Sequence, residues 1–444
     1  MPENNSPSIR LNSFWLLLGR VLGQGLLVIF VALVARYLGE EGLGQYALVT
    51  AVILLGNVFT TFGLDTLLIR EVAARRGQTG LMRPFPLPLT ALLVQLFLSA
   101  LFIGGVWLLA GRLPGQTPTT IGALKLYSLS LLPLTLATVY SAILRGYERM
   151  DLYTLYTLAS ALLQTVGALL VLRAGGGLLA LVGWLLLVQA ITAVFVTALC
   201  YWTIPRLSLR HKVEWATLRA TVWPTLHLAW PLALLMVLAV WQQRLGIFAL
   251  SFLAGDAETG WFSAAAKVIE AAKMGHYAFF GALFPVLARG AGGRPAEKRS
   301  RTADREPVSV TAPSSGQALG PPTSVTRFPF ALLLGLTLLV MLLITLGARP
   351  LVQLLYGAGY APAVTALAIL AWSLLPYTMG AKLSLELVAA GRERVVLRAV
   401  ALTLATSLLL FGLLVPSLGL IGACWAVVLG ELVQAVILYV KRET

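Results

Sequence analysis

Residues 38–47 read LGEEGLGQYA, and residues 253–263 read LAGDAETGWFS. Each is an acidic turn, then a glycine, then an aromatic residue opening a long apolar run. The two are offset by 215–216 residues, with one extra residue in the second copy. Further along, Arg145-Gly146-Tyr147-Glu148-Arg149 lines up with Ala390-Gly391-Arg392-Glu393-Arg394 at an offset of 245. The chain therefore repeats itself about halfway, with an insertion in the second copy. A repeat at a fixed period bounds the architecture before any single motif does.

The runs flanking these turns are long enough to cross a bilayer, whose hydrocarbon core of roughly 30 Å needs about 20 apolar residues. Spans are expected at 14–36, 45–69, 85–110, 121–144, 152–172, 177–202, 225–253, 260–288, 328–347, 362–385, 395–416 and 418–440. Six spans return the chain to its starting side. The expected fold is an all-α polytopic membrane protein of about 12 transmembrane helices, built as two parallel six-helix repeats around a central cavity. The first half would occupy residues 1–203 and the second 225–444. Between them, 204–224 holds Arg206, Arg210, Lys212 and Arg219 with Trp215 and Trp223, and reads as a cytoplasmic amphipathic linker. The insertion, 290–327, is polar and rich in Gly, Pro and Ser. It cannot bury enough apolar surface to order itself, so it is expected to be a disordered cytoplasmic loop near anionic lipid.

Charge gives the orientation. With the N-terminus inside, 23 of the 33 Lys and Arg fall in or at the edge of inner loops, and 4 (Arg36, Arg112, Arg173 and Arg349) at outer ones. Lys and Arg are retained on the cytoplasmic side during insertion. Both termini are therefore expected in the cytoplasm, and the protein in the cytoplasmic (inner) membrane. The composition agrees: the chain is 58% hydrophobic and 11% charged, against about 25% charged for soluble chains. A net charge of +15 does not imply a nucleic-acid partner, because the basic residues follow the topology rule rather than forming one patch. Cys200 and Cys424 fall in spans and imply neither a disulfide framework nor a metal site. No Walker phosphate loop, zinc motif, paired Cys motif or nucleophile elbow is present, so neither an enzyme nor a cofactor is indicated.

Ionisable groups at membrane depth are costly and usually face a cavity or a partner. Arg20 lies roughly 10 Å inside the inner end of span one at 1.5 Å per residue. Arg244 lies in span seven, the repeat partner of span one, nearer the outer side and next to Gln242 and Gln243. Span eight carries Lys267, Glu270, Lys273 and His276 at i+3 steps, one winding polar stripe that points inward. Two readings stay open for the stripe: a substrate cavity, or neighbouring ion pairs that offset each other's burial. Asp65, on the same side as Arg20, and Glu431, mid-span with no sequence-near partner, are candidates for a charge partner or gate. Lys125 and Lys382 sit close enough to span ends to snorkel, with Glu386 one turn from Lys382, and His227 is interfacial. The excess inside the membrane is cationic, which suits phosphate, and arginine binds phosphate bidentately.

The stretch from Ala35 to Ala47, Phe62-Gly63-Leu64-Asp65 and Ile69-Arg70-Glu71-Val72-Ala73 resemble the N-terminal signature of the polysaccharide biosynthesis (Wzx-type) flippases. These belong to the multidrug/oligosaccharidyl-lipid/polysaccharide exporter superfamily. Gly281-Ala282-Leu283-Phe284-Pro285-Val286-Leu287 resembles the end of the eighth helix in the same group, and the resemblance covers the chain apart from 290–327. Arg20-Val21-Leu22-Gly23 is similar to the first-helix motif of peptidoglycan lipid II flippases, where the arginine lines a cationic cavity. The resemblance implies alternating-access transport of a polyprenyl-diphosphate-linked oligosaccharide for cell-surface polysaccharide, with membrane lipid and polysaccharide-assembly proteins as partners. Many relatives place an acidic residue in the seventh helix, where this chain has Gln242-Gln243-Arg244. Proton or sodium coupling through that helix is therefore not implied. The competing readings are a cation-coupled multidrug antiporter on the same fold, which needs an acidic cavity, and a polytopic glycan polymerase or ligase, which needs a large outer loop.

Overall fold

The computed structural model describes residues 9–76, 87–204, 215–290, 323–389 and 392–443. Among these there is helix and no strand. The helices are α1 (Ile9–Thr61), α2 (Leu64–Arg76), α3 (Leu87–Leu109), α4 (Pro118–Ser128), α5 (Leu131–Gly146), α6 (Met150–Arg173), α7 (Leu178–Thr203), α8 (Trp215–Leu253), α9 (Asp256–Gly290), α10 (Thr323–Tyr356), α11 (Ala361–Ala371), α12 (Leu374–Ala389) and α13 (Glu393–Glu443). By length and apolarity, 8 helices can cross a membrane, or 9 if the bent α11–α12 pair is one span. Two of these, α1 and α13, run for 53 and 51 residues. At 1.5 Å per residue each would be roughly 80 Å long if straight, more than twice a bilayer core. Each is interrupted near its middle by a left-handed glycine, Gly39 (φ 71°) or Gly419 (φ 54°). The charged helix α9 falls outside the apolar count.

The side on which α1 begins is here the near side, and that of the Gly39 turn the far side. Six turns lie on the far side, and each holds one glycine with positive φ: Gly39, Gly115, Gly175, Gly255, Gly357 and Gly419. A side chain there would meet the following carbonyl, which glycine avoids. The six fall into repeat pairs, Gly39 with Gly255, Gly115 with Gly357 and Gly175 with Gly419. The helices repeat too. The ends of α4 and α5 recur in α11 and α12 at a constant shift of 243 residues. Both pairs start with a proline in the first helical turn and break at the same place, after Ser128 and after Ala371. The helix shift is two residues less than the offset of 245 read from the turn motif, and Ala390 and Gly391 of that motif lie outside the described residues.

The halves meet at the far side. A Cβ on Gly44 would overlap the carbonyl oxygen of Asp256, and one on Gly260 that of Glu40. The two contacts are related by the 216-residue offset, so the backbones of α1 and α9 touch twice in the same way. Around them, Gln45 Nε2 donates to Asp256 Oδ2 at 3.0 Å, and Gln116 Nε2 to Ser251 Oγ at 3.1 Å. Tyr360 donates to the Ala35 carbonyl at 3.3 Å. Arg36 donates to the carbonyls of Leu355 and Leu354 at the end of α10, where a cation also meets the negative end of the helix dipole. One apolar core runs through this junction, from Val34, Leu43 and Ala47 to Phe262, Ala264, Leu367 and Cys424. Outside it, large side chains stand free, among them Trp202 (82% exposed), Leu108 (77%) and Leu346 (75%). So broad an apolar exterior suits lipid rather than water.

Several boundaries differ from the sequence reading. The second span was expected over 45–69, but its helix stops at Thr61. Phe62 (φ 48°) and Gly63 (φ 70°) are both left-handed, which breaks the helix and puts Asp65 in the first turn of α2. Helix α8 already begins at Trp215, inside the segment read as a linker; residues 205–214 lie outside the described residues. So do 291–322 of the insertion, with α9 ending at Gly290 and α10 starting at Thr323.

Gly44→Ala and Gly260→Ala should each destabilise the protein by about 1–3 kcal/mol, the usual cost of overpacking a tight contact. Thermal melting in detergent reads this directly. Gly104→Ala, whose Cβ would meet nothing within 4 Å, should melt no lower than the parent. Equal melting of all three would show that the far-side approach is not a constraint.

Candidate functional site

Two polar clusters lie at membrane depth. The first is built on α9, where steps of three residues keep Lys267, Glu270, Lys273 and His276 on one winding face. Each of these residues finds a partner inside the second half. Glu270 bridges two cations: Oε2 accepts from Lys267 at 2.7 Å and Oε1 from Arg244 Nη1 at 3.0 Å. Lys273 donates to Glu431 of α13 at 2.9 Å and lies 4.1 Å from the centre of the Tyr377 ring. The buried His276 has Nε2 2.8 Å from the Thr337 hydroxyl and meets Tyr377 edge-on. Gln242 donates to Gln434 at 3.2 Å, while Gln243, next in the chain, is exposed. Arg244 lies about 14 Å below the far end of α8 and Lys267 about 17 Å below that of α9, so they share a level.

Of the two readings left open for the stripe, the structure supplies the ion pairs. Three cations (Arg244, Lys267 and Lys273) face only two carboxylates. The ion-paired side chains retain 14–22% exposure, so the cluster is not sealed. Arg244 Nε is buried without a hydrogen-bond partner among the described residues. Unmatched charge is expensive in such surroundings.

The second cluster is on the near side. Arg20 on α1 is exposed and has no hydrogen bond or ion pair among the described residues. It opens onto a cavity of about 290 Å³ shared with Leu16, Gly19, Arg145, Met150, Tyr153, Thr154 and Thr157. Asp65 was a candidate partner for Arg20, but it pairs with Arg145 at 3.7 Å, because the break at Phe62–Gly63 turns α2 toward the end of α5. Arg145 also stacks over Tyr153 at 5.3 Å and keeps a buried Nε with no partner among the described residues. The site thus presents two guanidinium groups and one carboxylate. Near the same side, Glu386 holds Lys382 at 3.7 Å and Arg442 at 3.4 Å.

Sequence reasoning did not place Arg145, Tyr377, Thr337 or Gln434 in either cluster. Gln434 had a signal, since it stands one turn after Glu431 on the same helix. The others are ordinary residues that only packing makes relevant. Among the described residues no group of three His, Cys, Asp or Glu could hold a metal ion.

Lys273→Met leaves Glu431 without its cation, and Glu431→Leu leaves Lys273 without its anion. Each should cost roughly 3–5 kcal/mol, the usual penalty for breaking a buried pair. The double substitution should recover much of the loss in thermal unfolding. Additive losses would mean that the two residues do not depend on one another.

The sequence profile described as polysaccharide biosynthesis protein matches residues 9–291. No curated protein sequence matches the chain significantly. Among solved structures, the lipid II flippase MurJ in an inward closed conformation aligns with a TM-score of 0.72 at 13% identity, over 98% of this chain and 88% of that one. An inward-facing multidrug resistance MATE transporter of the MOP superfamily gives 0.66 at 15% identity, over 95% and 94%. A MOP superfamily transporter from Pyrococcus furiosus, described as having a binding pocket of reversed polarity, gives 0.67 at 15%, over 98% and 95%. At these identities the likeness is one of fold.

Proposed function

We propose, because the chain belongs to the polysaccharide biosynthesis protein family, that this multi-pass membrane transporter is a flippase for a polyprenyl-diphosphate-linked oligosaccharide. It carries its cargo from the inner to the outer leaflet of the cytoplasmic membrane. The observation that supports this most is the near-side cavity, where Arg20 stands unpaired beside Arg145. An unpaired guanidinium at membrane depth suits a diphosphate, which it can bind bidentately. Thr157 and Tyr153 on the cavity wall are polar enough to lie beside a sugar, and the lipid tail stays in the bilayer.

In this reading the chain makes twelve crossings, α1 and α13 giving two each, as halves 1–203 and 225–444 joined through 204–224. The near side is cytoplasmic, as the Lys and Arg bias requires. With the halves joined at the far side, cargo is taken from the cytoplasm, and rocking of the halves then moves it outward. An inside-negative potential favours export of an anionic head group by roughly 2.3 kcal/mol per charge per 100 mV. The protein then needs only to lower the barrier, and no reaction is catalysed. The multidrug antiporter reading is weaker, since the excess charge in both clusters is cationic.

Transport in reconstituted vesicles tests the assignment. Arg20→Ala and Arg145→Ala should each slow translocation of the lipid-linked oligosaccharide by about tenfold or more, the worth of one charged hydrogen bond. Arg20→Lys should retain part of the rate. Wild-type rates in both alanine variants, or efflux of cationic dyes instead, would overturn the reading. Orientation is tested by single cysteines at Gly115 and Gly316 in a background without Cys200 and Cys424. An impermeant thiol reagent should label Gly115→Cys in intact cells and leave Gly316→Cys unlabelled.

A further inference from the structure

We propose that Arg244 and Lys267 form a second anion site whose resident occupant is the chain's own Glu270, so that Glu270 is the specificity-determining residue of the path. The inference rests on the flippase reading only for the identity of the cargo; the site itself rests on geometry. A carboxylate with one oxygen on each of two cations, at 3.0 and 2.7 Å, stands where a bridging phosphoryl group would stand. It leaves the site incomplete. Arg244 uses only Nη1 toward Glu270, and its Nε is buried with no partner among the described residues. A guanidinium is a two-pronged donor, and a carboxylate already shared with Lys267 engages one prong. A tetrahedral phosphoryl group carries a third oxygen and can take Nη1 and Nη2 together, end-on, while still reaching Lys267.

The neighbouring pair shows what a satisfied site looks like. Lys273 meets Glu431 one to one and has its remaining face against the Tyr377 ring. Neither Lys273 nor Glu431 keeps a buried polar atom without a partner among the described residues. At Arg244 a donor is left over, and the three side chains keep 14–22% exposure, so an entering anion can reach them.

An internal competitor has a functional consequence. The anion must displace Glu270, so its hold is weakened, and Glu270 returns as the anion leaves. Binding stays strong enough to select a phosphoryl group and weak enough to release it, as a transport path requires. A neutral or cationic solute gains nothing by displacing Glu270 and is rejected.

Purified protein in detergent, titrated calorimetrically with inorganic pyrophosphate, tests the site. Glu270→Gln keeps the shape and removes the competing charge. It should bind pyrophosphate about tenfold tighter than the parent or better, a gain of about 1.4 kcal/mol. Adding Arg244→Ala should abolish the gain. Glu386→Gln removes the same charge from the near-side end and should show none, which excludes a net-charge effect. If Glu270→Gln does not fold, Glu270→Asp, too short to bridge both cations, should give a smaller gain in the same direction. No gain in either Glu270 variant, a gain equalled by Glu386→Gln, or a gain that survives Arg244→Ala would overturn the site. The flippase reading fails separately. If Glu270→Gln gains pyrophosphate while wild-type protein moves no lipid-linked oligosaccharide, the site stands and the cargo is wrong. If the oligosaccharide moves and no variant gains, the cargo stands and the site is wrong.

Discussion

Two glycines hold the halves together. Gly44 and Gly260 let α1 and α9 approach until backbone meets backbone, each against a carbonyl of the opposite half. Lipid offers no hydrophobic drive between helices, since its tails are as apolar as leucine, so close packing of small residues supplies the attraction instead. Once the backbones touch, Gln45 reaches Asp256, Gln116 reaches Ser251, and Arg36 reaches the end of α10. A side chain holding the helices apart would lengthen those bonds. The close approach of the halves at the far side depends on two residues that have no Cβ.

The two charged clusters differ in how their cations are matched. On the near side, Arg20 is exposed and unpaired, and its neighbour Arg145 is only loosely held by Asp65. In the second half the cations are closely paired, and one carboxylate serves two of them. An anion would therefore meet an open cation first and an occupied pair deeper in. The unpaired charge is tolerable on the near side because it is exposed, whereas the deeper charges are partly buried and need counterions of their own.

The likeness to lipid II and multidrug transporters at 13–15% identity shows how little of such a fold is written in particular residues. Apolar runs of the right length, six tight turns and a few small residues at the junction are enough. The seventh-span position here carries Gln242-Gln243-Arg244 and not an acid. Chemistry follows those few side chains, which is why the charge of the cavity says more about cargo than the architecture does.

Much was legible in the sequence. Span length against bilayer thickness and the repeated turn at 38–47 and 253–263 gave an all-helical membrane protein made of two like halves. The intramembrane charges marked Arg20, Arg244 and the 267–276 stripe, because burying them is costly wherever they point. Pairing was another matter. Glu431 and Lys273 are 158 residues apart, and Asp65 turned to Arg145 because Phe62 and Gly63 break the helix before it. A one-dimensional pattern records the cost of a buried charge but not its neighbour. The neighbour is set by which helices pack together within each half, α9 on α13 and α2 on α5, and that is decided only in three dimensions.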